Sequence, residues 1–347
     1  MLLEGIHLPL TTPFYPDGRL NLRKLEHNVD RYSRTPVAGL LVLGASGEGS
    51  ALTDDETVDV LKTTSELAAK EKVLLACVGR DSVFATLALA EAAAAAKFDA
   101  VVVGAPSFGP ELRLELVTYF QAVADRSPLP VVLSSTASAR LSVDVLAELA
   151  GHPSILGVID SEAVGERLAA ILAATNHVSR EVTVTTIFAA ATGRMLAVTV
   201  PSGAGTFVSA ESLGGGGAAL AVAPPVPALK TRTKRIGFQV LGGTTETMLD
   251  AFAGGAVGAV PRFGASAPQA CNEVFQAWKD GDAPLAAEKQ ARILAAAARM
   301  EGAGAVGAIK YGCDLNGYYG GRPRLPLLAP TIDVRGAIDL EMAGLKN

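Results

Sequence analysis

A (β/α)8 barrel is the fold class that this 347-residue sequence predicts, and three observations predict it. Short runs rich in Val, Ile and Leu alternate with amphipathic stretches from one end to the other. Eight such strand–helix units can be counted, the number that closes a barrel. The strand-like runs are apolar on both faces, as parallel strands covered by helices must be. An open doubly wound sheet would instead need a glycine-rich phosphate turn after the first strand, and TTPFYPDG is not one.

The strand runs are IHLPLT (6–11), GLLVLG (39–44), VLLACVG (73–79), AVVVGAP (100–106), PVVLSS (130–135), ILGVID (155–160), IGFQVLGG (236–243) and GAVPRF (258–263). Between them LRKLEHNVDRY, DETVDVLKTTSELAAK, LRLELVTYFQAVADR and GERLAAILAA repeat apolar residues at i, i+3, i+4 and i+7, the period of a helix with one buried face. Thr53 and Glu56 have the spacing of a capping box and nothing more. The barrel is expected over 1–280. A C-terminal helical extension follows over 281–347, Ala-rich from 284 to 317 and packed on the barrel's side.

One interval breaks the rhythm. The distance from Ile159 to Gly243 far exceeds the roughly 30 residues of a βα unit. The excess is read as an insertion, 179–235, between the sixth and seventh strands. EVTVTTIF, RMLAVTVP and GTFVSAE read as strands within it; GGGG (214–217) and APPVPALKTRTK read as loop. The insertion is a β-hairpin excursion or a lid, expected outside the barrel near the active-face rim. Four consecutive glycines have the most backbone entropy to lose on ordering, so 214–217 is expected to be its most mobile part.

Bulk composition narrows the function. Hydrophobic residues make up 49% of the chain, charged residues 19% and aromatics 5%, with a net charge of −5 and no basic run. A nucleic-acid surface is therefore not expected. Cys77, Cys271 and Cys313 are far apart and odd in number, which fits reduced thiols and not a disulfide framework. MLLEGIHLPLTTPF lacks the basic start and apolar run of a signal peptide. The apolar tract 213–229 is too broken by glycine and proline to span a bilayer. The expectation is a soluble, cytoplasmic protein with no membrane partner. The four histidines, His7, His27, His152 and His177, show no HxH or HxxxH spacing and there is no CxxC, so neither a metal site nor a cofactor is expected. His7 alternates along the first strand toward the interior and reads as a satisfied core histidine.

At LPLTTPFYPDGRLN, GLLVLGASGEGSALTDDE and GGTTETMLDAFAGGAVGAV the chain resembles the dihydrodipicolinate synthase / N-acetylneuraminate lyase family. The likeness runs from Gly5 to GRPRLPLLAPT, apart from the insertion. It implies a barrel with C-terminal helices, a homodimer or homotetramer, and lyase or aldolase chemistry on a 2-oxo acid through a lysine Schiff base. Residue by residue the likeness fails at most chemical positions. The family's GTTGE stands here as Gly44, Ala45, Ser46, Gly47 and Glu48, so that one relay threonine has become Ala45 and Ser46 keeps one hydroxyl. Its TPYY stands as Ala105, Pro106, Ser107 and Phe108. The tyrosine of YNxP falls on Ser134, followed by Ser135, and the lysine of GIKE falls on Ile159. Lys230 and Lys234 precede the seventh strand and Lys310 lies in the C-terminal helices, so none is placed to stand in.

Arg80 and Arg262 follow strands three and eight, and the resemblance puts the family's carboxylate-binding arginine at or beside Arg140. Bidentate carboxylate recognition suits arginine, and the competing use is pairing with Asp81 or Asp160. Asp160 and Glu162 follow strand six, where a base or metal ligand could sit; a buried ion pair or a helix N-cap is the competing use. Ser46, Gly47, Arg80, Ser107, Ser135, Arg140, Asp160 and Arg262 are thus the candidate ligand contacts. Two readings follow. One is an altered enzyme that binds or transforms a small carboxylate without a lysine adduct; the other is a non-catalytic relative kept for ligand binding or assembly.

Overall fold

Eight parallel strands close on themselves in the computed structural model, which describes residues 1–108, 112–198, 229–302 and 305–345. In chain order the strands are β1 (Gly5–Pro9), β2 (Gly39–Val42), β3 (Val73–Cys77), β4 (Ala100–Gly104), β5 (Val131–Ser135), β6 (Ile155–Asp160), β7 (Arg180–Thr185), β8 (Thr231–Ile236), β9 (Gln239–Gly242) and β10 (Gly258–Ala259). The barrel runs β1-β10-β9-β6-β5-β4-β3-β2, and β7 pairs with β8 as a separate antiparallel hairpin. Helices α1 (Leu22–Ser33), α2 (Asp54–Leu67), α3 (Val83–Ala95), α4 (Arg113–Arg126), α5 (Val143–Ala150) and α6 (Gly165–Ala174) alternate with the strands. After the short α7 (Gly193–Val198), α8 (Met248–Ala253) and α9 (Pro268–Lys279) complete the ring. Beyond it α10 (Ala283–Glu301), α11 (Ala305–Leu315) and α12 (Ile332–Met342) pack on one side.

Strand alternation divides the core in two. Leu8, Leu40, Leu74, Val101, Leu133 and Val240 point outward and pack beneath the helices. Leu41, Val73, Leu75, Ala100, Val102, Val132 and Leu241 point inward and fill the lumen, with Leu3 closing it from below. Each such burial contributes roughly 1.5–3 kcal/mol. The lumen is a packed core, not a pore.

The strand β6 departs from simple alternation. Val131 pairs with Ile155 but Val132 pairs with Gly157, so β6 holds one extra residue opposite that step. The bulge shifts the strand's phase: Leu156 and Ile159 face the lumen, whereas Val158 joins the outer core. Asp160 accordingly lies outside the lumen, fully buried under the helices.

The described residues of the insertion, 179–198 and 229–235, do not lie at the active-face rim. The insertion follows α6 and precedes β9, a helix-to-strand connection, and such connections open at the N-terminal ends of barrel strands. There Val182 and Val184 pack on Leu2, with Ala190 and Ile236 alongside. The segment 194–198, expected as strand, is the helix α7, because its N-terminal residues find helix-type anchors. Gly193 N–H donates to Asp99 (3.0 Å), Arg194 donates to the carbonyls of Ala68 (3.0 Å) and Lys72, and Thr192 donates to Lys70. Conversely 231–234, expected as loop, lies in β8, since that strand finds a full-length partner in β7. The expected strand at 205–211 and the glycine run 214–217 lie outside the described residues.

His7 faces the lumen as expected. Its Nε2 donates to the Leu3 carbonyl (2.9 Å), and Gly39 is required beside it, because a Cβ there would strike Nδ1. Burial pulls the imidazole down to about 4 from an ordinary 6.5. Between these values the unfolded chain binds a proton that the native state refuses, so stability falls as pH drops through that window. Wild type is expected to lose about 3 kcal/mol more between pH 6.5 and 4 than His7→Gln. Urea denaturation across that range checks it; parallel curves would remove His7 as the cause.

Candidate functional site

A cavity of about 280 Å3 opens at the C-terminal ends of β2 to β5. Leu43, Ala45 and Ser50 line it from the loop after β2, and Cys77, Arg80 and Asp81 from β3 and its loop. Val102, Ala105 and Ser134 complete the wall from β4 and β5. The turn after β2 is tight. Leu43 (φ 64°) and Glu48 (φ 52°) both adopt left-handed backbone, and a Cβ on Gly49 would strike the Leu43 carbonyl. A non-glycine residue held with positive φ is costly and recurs at ligand sites. Here one of them, Leu43, lines the cavity.

Arg80 is clamped through its backbone. Its N–H donates to Thr86 Oγ1 (2.9 Å) and its carbonyl accepts from the Tyr119 hydroxyl (2.7 Å). The guanidinium donates to the Gly79 carbonyl (2.9 Å), and among the described residues no carboxylate pairs with it. Asp81, the expected competitor, is held elsewhere. Both its oxygens accept from Ser107, one from the amide (2.8 Å) and one from the hydroxyl, and these bonds hold its carboxyl below the usual range. Ser107 therefore ties two loops together beside the cavity.

The other candidates do not converge with Arg80. Arg140 pairs with Glu162 (3.3 Å) on an exposed surface. Arg262 lies close to Glu301, whose carboxylate accepts from Phe263 N–H (2.7 Å) and the Thr245 hydroxyl; its buried Nε has no partner among the described residues. Asp160 takes Arg167 in a buried ion pair and accepts from Glu162 N–H (2.9 Å). The same Arg167 donates to Ser135 Oγ (3.2 Å) and to the Leu141 carbonyl (2.8 Å). Asp160 and Ser135 are thus parts of one structural cluster outside the lumen. Ser46 is buried under its turn, and the Gly47 carbonyl accepts from Thr12 Oγ1 (2.6 Å). Phe108 is half-exposed beside α4, outside this cavity. Ile159 packs against the lumen's apolar core, at the level of Ser134 on β5 and Leu241 on β9.

Among the polar and thiol side chains of the lining, Ser50, Cys77 and Asp81 are not among the ligand contacts expected from the sequence. Cys77 was legible, because Val73 and Leu75 set the inward phase of β3. Burial pushes its thiol up to about 12, so it is no thiolate at neutral pH. Among the described residues no group of three His, Cys, Asp or Glu could hold a metal ion.

Beside the cavity a buried network fixes the loops. Lys310, fully buried, pairs with Glu48, and its ammonium stands 4.4 Å from the Phe14 ring centroid. Arg324 lies over the same ring and donates to both oxygens of Glu56 (2.7 and 2.6 Å). Glu56 thus does more than cap α2: this arginine, with the Thr53 cap, holds its carboxyl down at about 2.

A dihydrodipicolinate synthetase family profile matches residues 2–212 and 227–339. The chain belongs to this family. Across 99% of both chains it is 26% identical to the 4-hydroxy-tetrahydrodipicolinate synthase of Acidiphilium cryptum. The synthase of the same name from Xanthomonas axonopodis pv. citri is 36% identical over 177 residues, which are 50% of this chain and 58% of that protein. For that relative the match therefore spans little more than half its length. Among solved family structures, dihydrodipicolinate synthase DapA-2 of Bacillus anthracis superposes with a TM-score of 0.77 at 20% identity, covering all of both chains. The family protein YagE from E. coli K12, solved in complex with pyruvate, gives 0.77 at 21% identity and 99% of each. The family's barrel and C-terminal helices are those described above.

The Lys310–Glu48 pair generates a test of how the family scaffold holds its loops. Lys310→Met leaves a buried carboxylate unpaired and is expected to cost about 3 kcal/mol or more. Adding Glu48→Gln is expected to return part of that loss. Denaturant midpoints of the two variants check it; equal losses in both would show that the pair is not coupled.

Proposed function

We propose that the chain binds a small carboxylate, a 2-oxo acid or a close relative, in the cavity at the ends of β2 to β5, and acts on it without a lysine adduct. Arg80 carries this reading. It is the cation on the cavity wall, its backbone is clamped at both ends, and its guanidinium retains free donors. A guanidinium so placed fits a carboxylate bidentately. Ser50 and Ser134 offer hydroxyls for a neighbouring carbonyl or hydroxyl oxygen. The pyruvate in the YagE structure belongs to the same chemical class.

The resemblance assigns the Schiff-base lysine to the position of Ile159, which packs into apolar surroundings here. None of the cavity's lining residues is a lysine. Lys234 bonds Glu4 (3.1 Å) at the opposite end of the barrel, and Lys310 is held by Glu48. A nucleophilic amine needs a lowered pKa and access to the substrate together. Lys310 is drawn down by burial but does not line the cavity.

A second reading, a binding or assembly relative without turnover, draws on Ala45, Phe108 and Ser134, which remove the relay groups the resemblance implies. An apolar face suits assembly. Val83, Phe108 and Leu114 (73% exposed) line a groove on the α3–α4 side, and Phe84, next to Val83 in sequence, is 77% exposed. Large apolar side chains grouped at a surface mark association sites. We assign this face to a second copy of the chain, as a homodimer or as half of a homotetramer. The three free thiols fit a reducing compartment such as the cytoplasm. No described helix is long and apolar enough to cross a membrane.

Two measurements test these proposals. Incubation with pyruvate and borohydride is expected to leave the intact mass unchanged, while calorimetry detects pyruvate binding that weakens about tenfold or more in Arg80→Ala. A reduced pyruvyl adduct on one lysine would overturn the first part, and unaltered binding in Arg80→Ala the second. Light scattering is expected to show an oligomer that Leu114→Asp shifts to monomer; a monomeric wild type would dismiss the face.

A further inference from the structure

The insertion builds a second cavity that the proposed carboxylate site does not use. The hairpin β7–β8 and α7 stand against the N-terminal end of β1 and against α9, and between them lies a cleft of about 560 Å3. That volume is within the roughly 300–1,000 Å3 of small-molecule sites. Its walls include Val37, Ile187, Met195 and Phe275, and its charged groups are Lys72, Lys279, Glu4 and Glu71. Ile187 is 82% exposed at the rim, a large aliphatic side chain with no packing of its own.

Lys72 gives the cleft its chemistry. The residue is only 5% exposed, and its ammonium donates to the carbonyls of Thr35 (2.6 Å) and Val37 (2.9 Å). An ammonium has three donors, so one is left over. Among the described residues no carboxylate forms an ion pair with it. A buried charge without a counter-charge is costly, and burial lowers this amine's pKa accordingly. The other charges nearby do not supply the partner. Glu4 is held between Lys234 (3.1 Å) and Lys279 (2.6 Å), and Glu71 is exposed. The lining lysines, Lys72 and Lys279, and the lining glutamates, Glu4 and Glu71, balance in number, but with Glu4 already bridged the Lys72 ammonium has no ion-pair partner among the described residues.

We propose that this cleft binds a carboxylate-headed amphiphile with a flexible apolar body, the chemistry of a medium-chain fatty acid. The carboxylate takes the spare donor of Lys72 and neutralises a buried charge. The alkyl body covers Phe275, Met195 and Ile187. A cation would meet the unpaired ammonium of Lys72, and a sugar would leave the apolar wall bare.

The protein carries its own reporter. Its single tryptophan, Trp278, stacks obliquely on Phe275 with ring centroids 5.6 Å apart. Titration with octanoate below its micellar concentration is expected to change Trp278 fluorescence saturably. Octanol and octylamine are expected to bind about tenfold more weakly or worse, since neither supplies an anion. Lys72→Met is expected to reduce octanoate affinity about tenfold or more. Ile187→Ser, at an exposed position that leaves folding intact, is expected to weaken it severalfold. Arg80→Ala is expected to leave octanoate binding unchanged, which separates this cleft from the carboxylate site at the other end. No saturable signal, equal binding of octanol, indifference to Ile187→Ser, or loss of binding in Arg80→Ala would each overturn the proposal.

Discussion

The ion pair between Asp160 and Arg167 sets the phase of β6, and the character of the lumen's upper end depends on that phase. The two side chains are 0% and 10% exposed, so either left alone would be a stranded charge costing about 3–5 kcal/mol. A slip of one residue would swing Asp160 into the lumen and Ile159 out under the helices. The bulge opposite Val131 and Val132 supplies the extra residue that makes this phase possible. The apolar top of the lumen and the buried anchor outside it are therefore one decision made by one strand.

The two ends of the barrel divide labour differently. At the C-terminal end the loops are fixed by charge, through Lys310, Glu48, Arg324 and Glu56 packed around Phe14. This leaves Arg80 and the serines beside it available to a ligand. At the N-terminal end the hairpin is fixed by apolar packing on Leu2 and by the doubly bridged Glu4. The first end is rigid around an opening; the second is a cover with a cleft beneath it.

Much of the fold was legible in the sequence, because hydrophobic period and helix caps are local signals. Each of the eight barrel strands overlaps its expected run, and the Thr53–Glu56 box forms. The described part of the insertion lies at the end opposite to the one expected, because the expectation applies the rule for insertions that follow a strand to one that follows a helix. The described part of RMLAVTVP, 194–198, differs from expectation for a related reason: such a run looks like strand until Asp99, Ala68 and Lys72, all distant in sequence, supply helix anchors. The site was less legible. Strand alternation alone cannot show a bulge, so Asp160 and Ser135 looked available to the pocket. Pairing across loops was equally hidden, and so Ser107 with Asp81, or Arg140 with Glu162, could not be told from free ligand groups.

The staves of this barrel are unequal. Five residue pairs join β5 to β6, but β10 contributes only two residues, one pair reaching β9 and two reaching β1. At that junction Gly5 and Gly258 lie so close that a side chain on Gly258 would collide with the opposing backbone. For anyone re-cutting the chain, this seam is where the circle can be interrupted with the smallest sacrifice of backbone hydrogen bonds. The same glycines leave it intolerant of new side chains. Topology can be edited there more freely than chemistry.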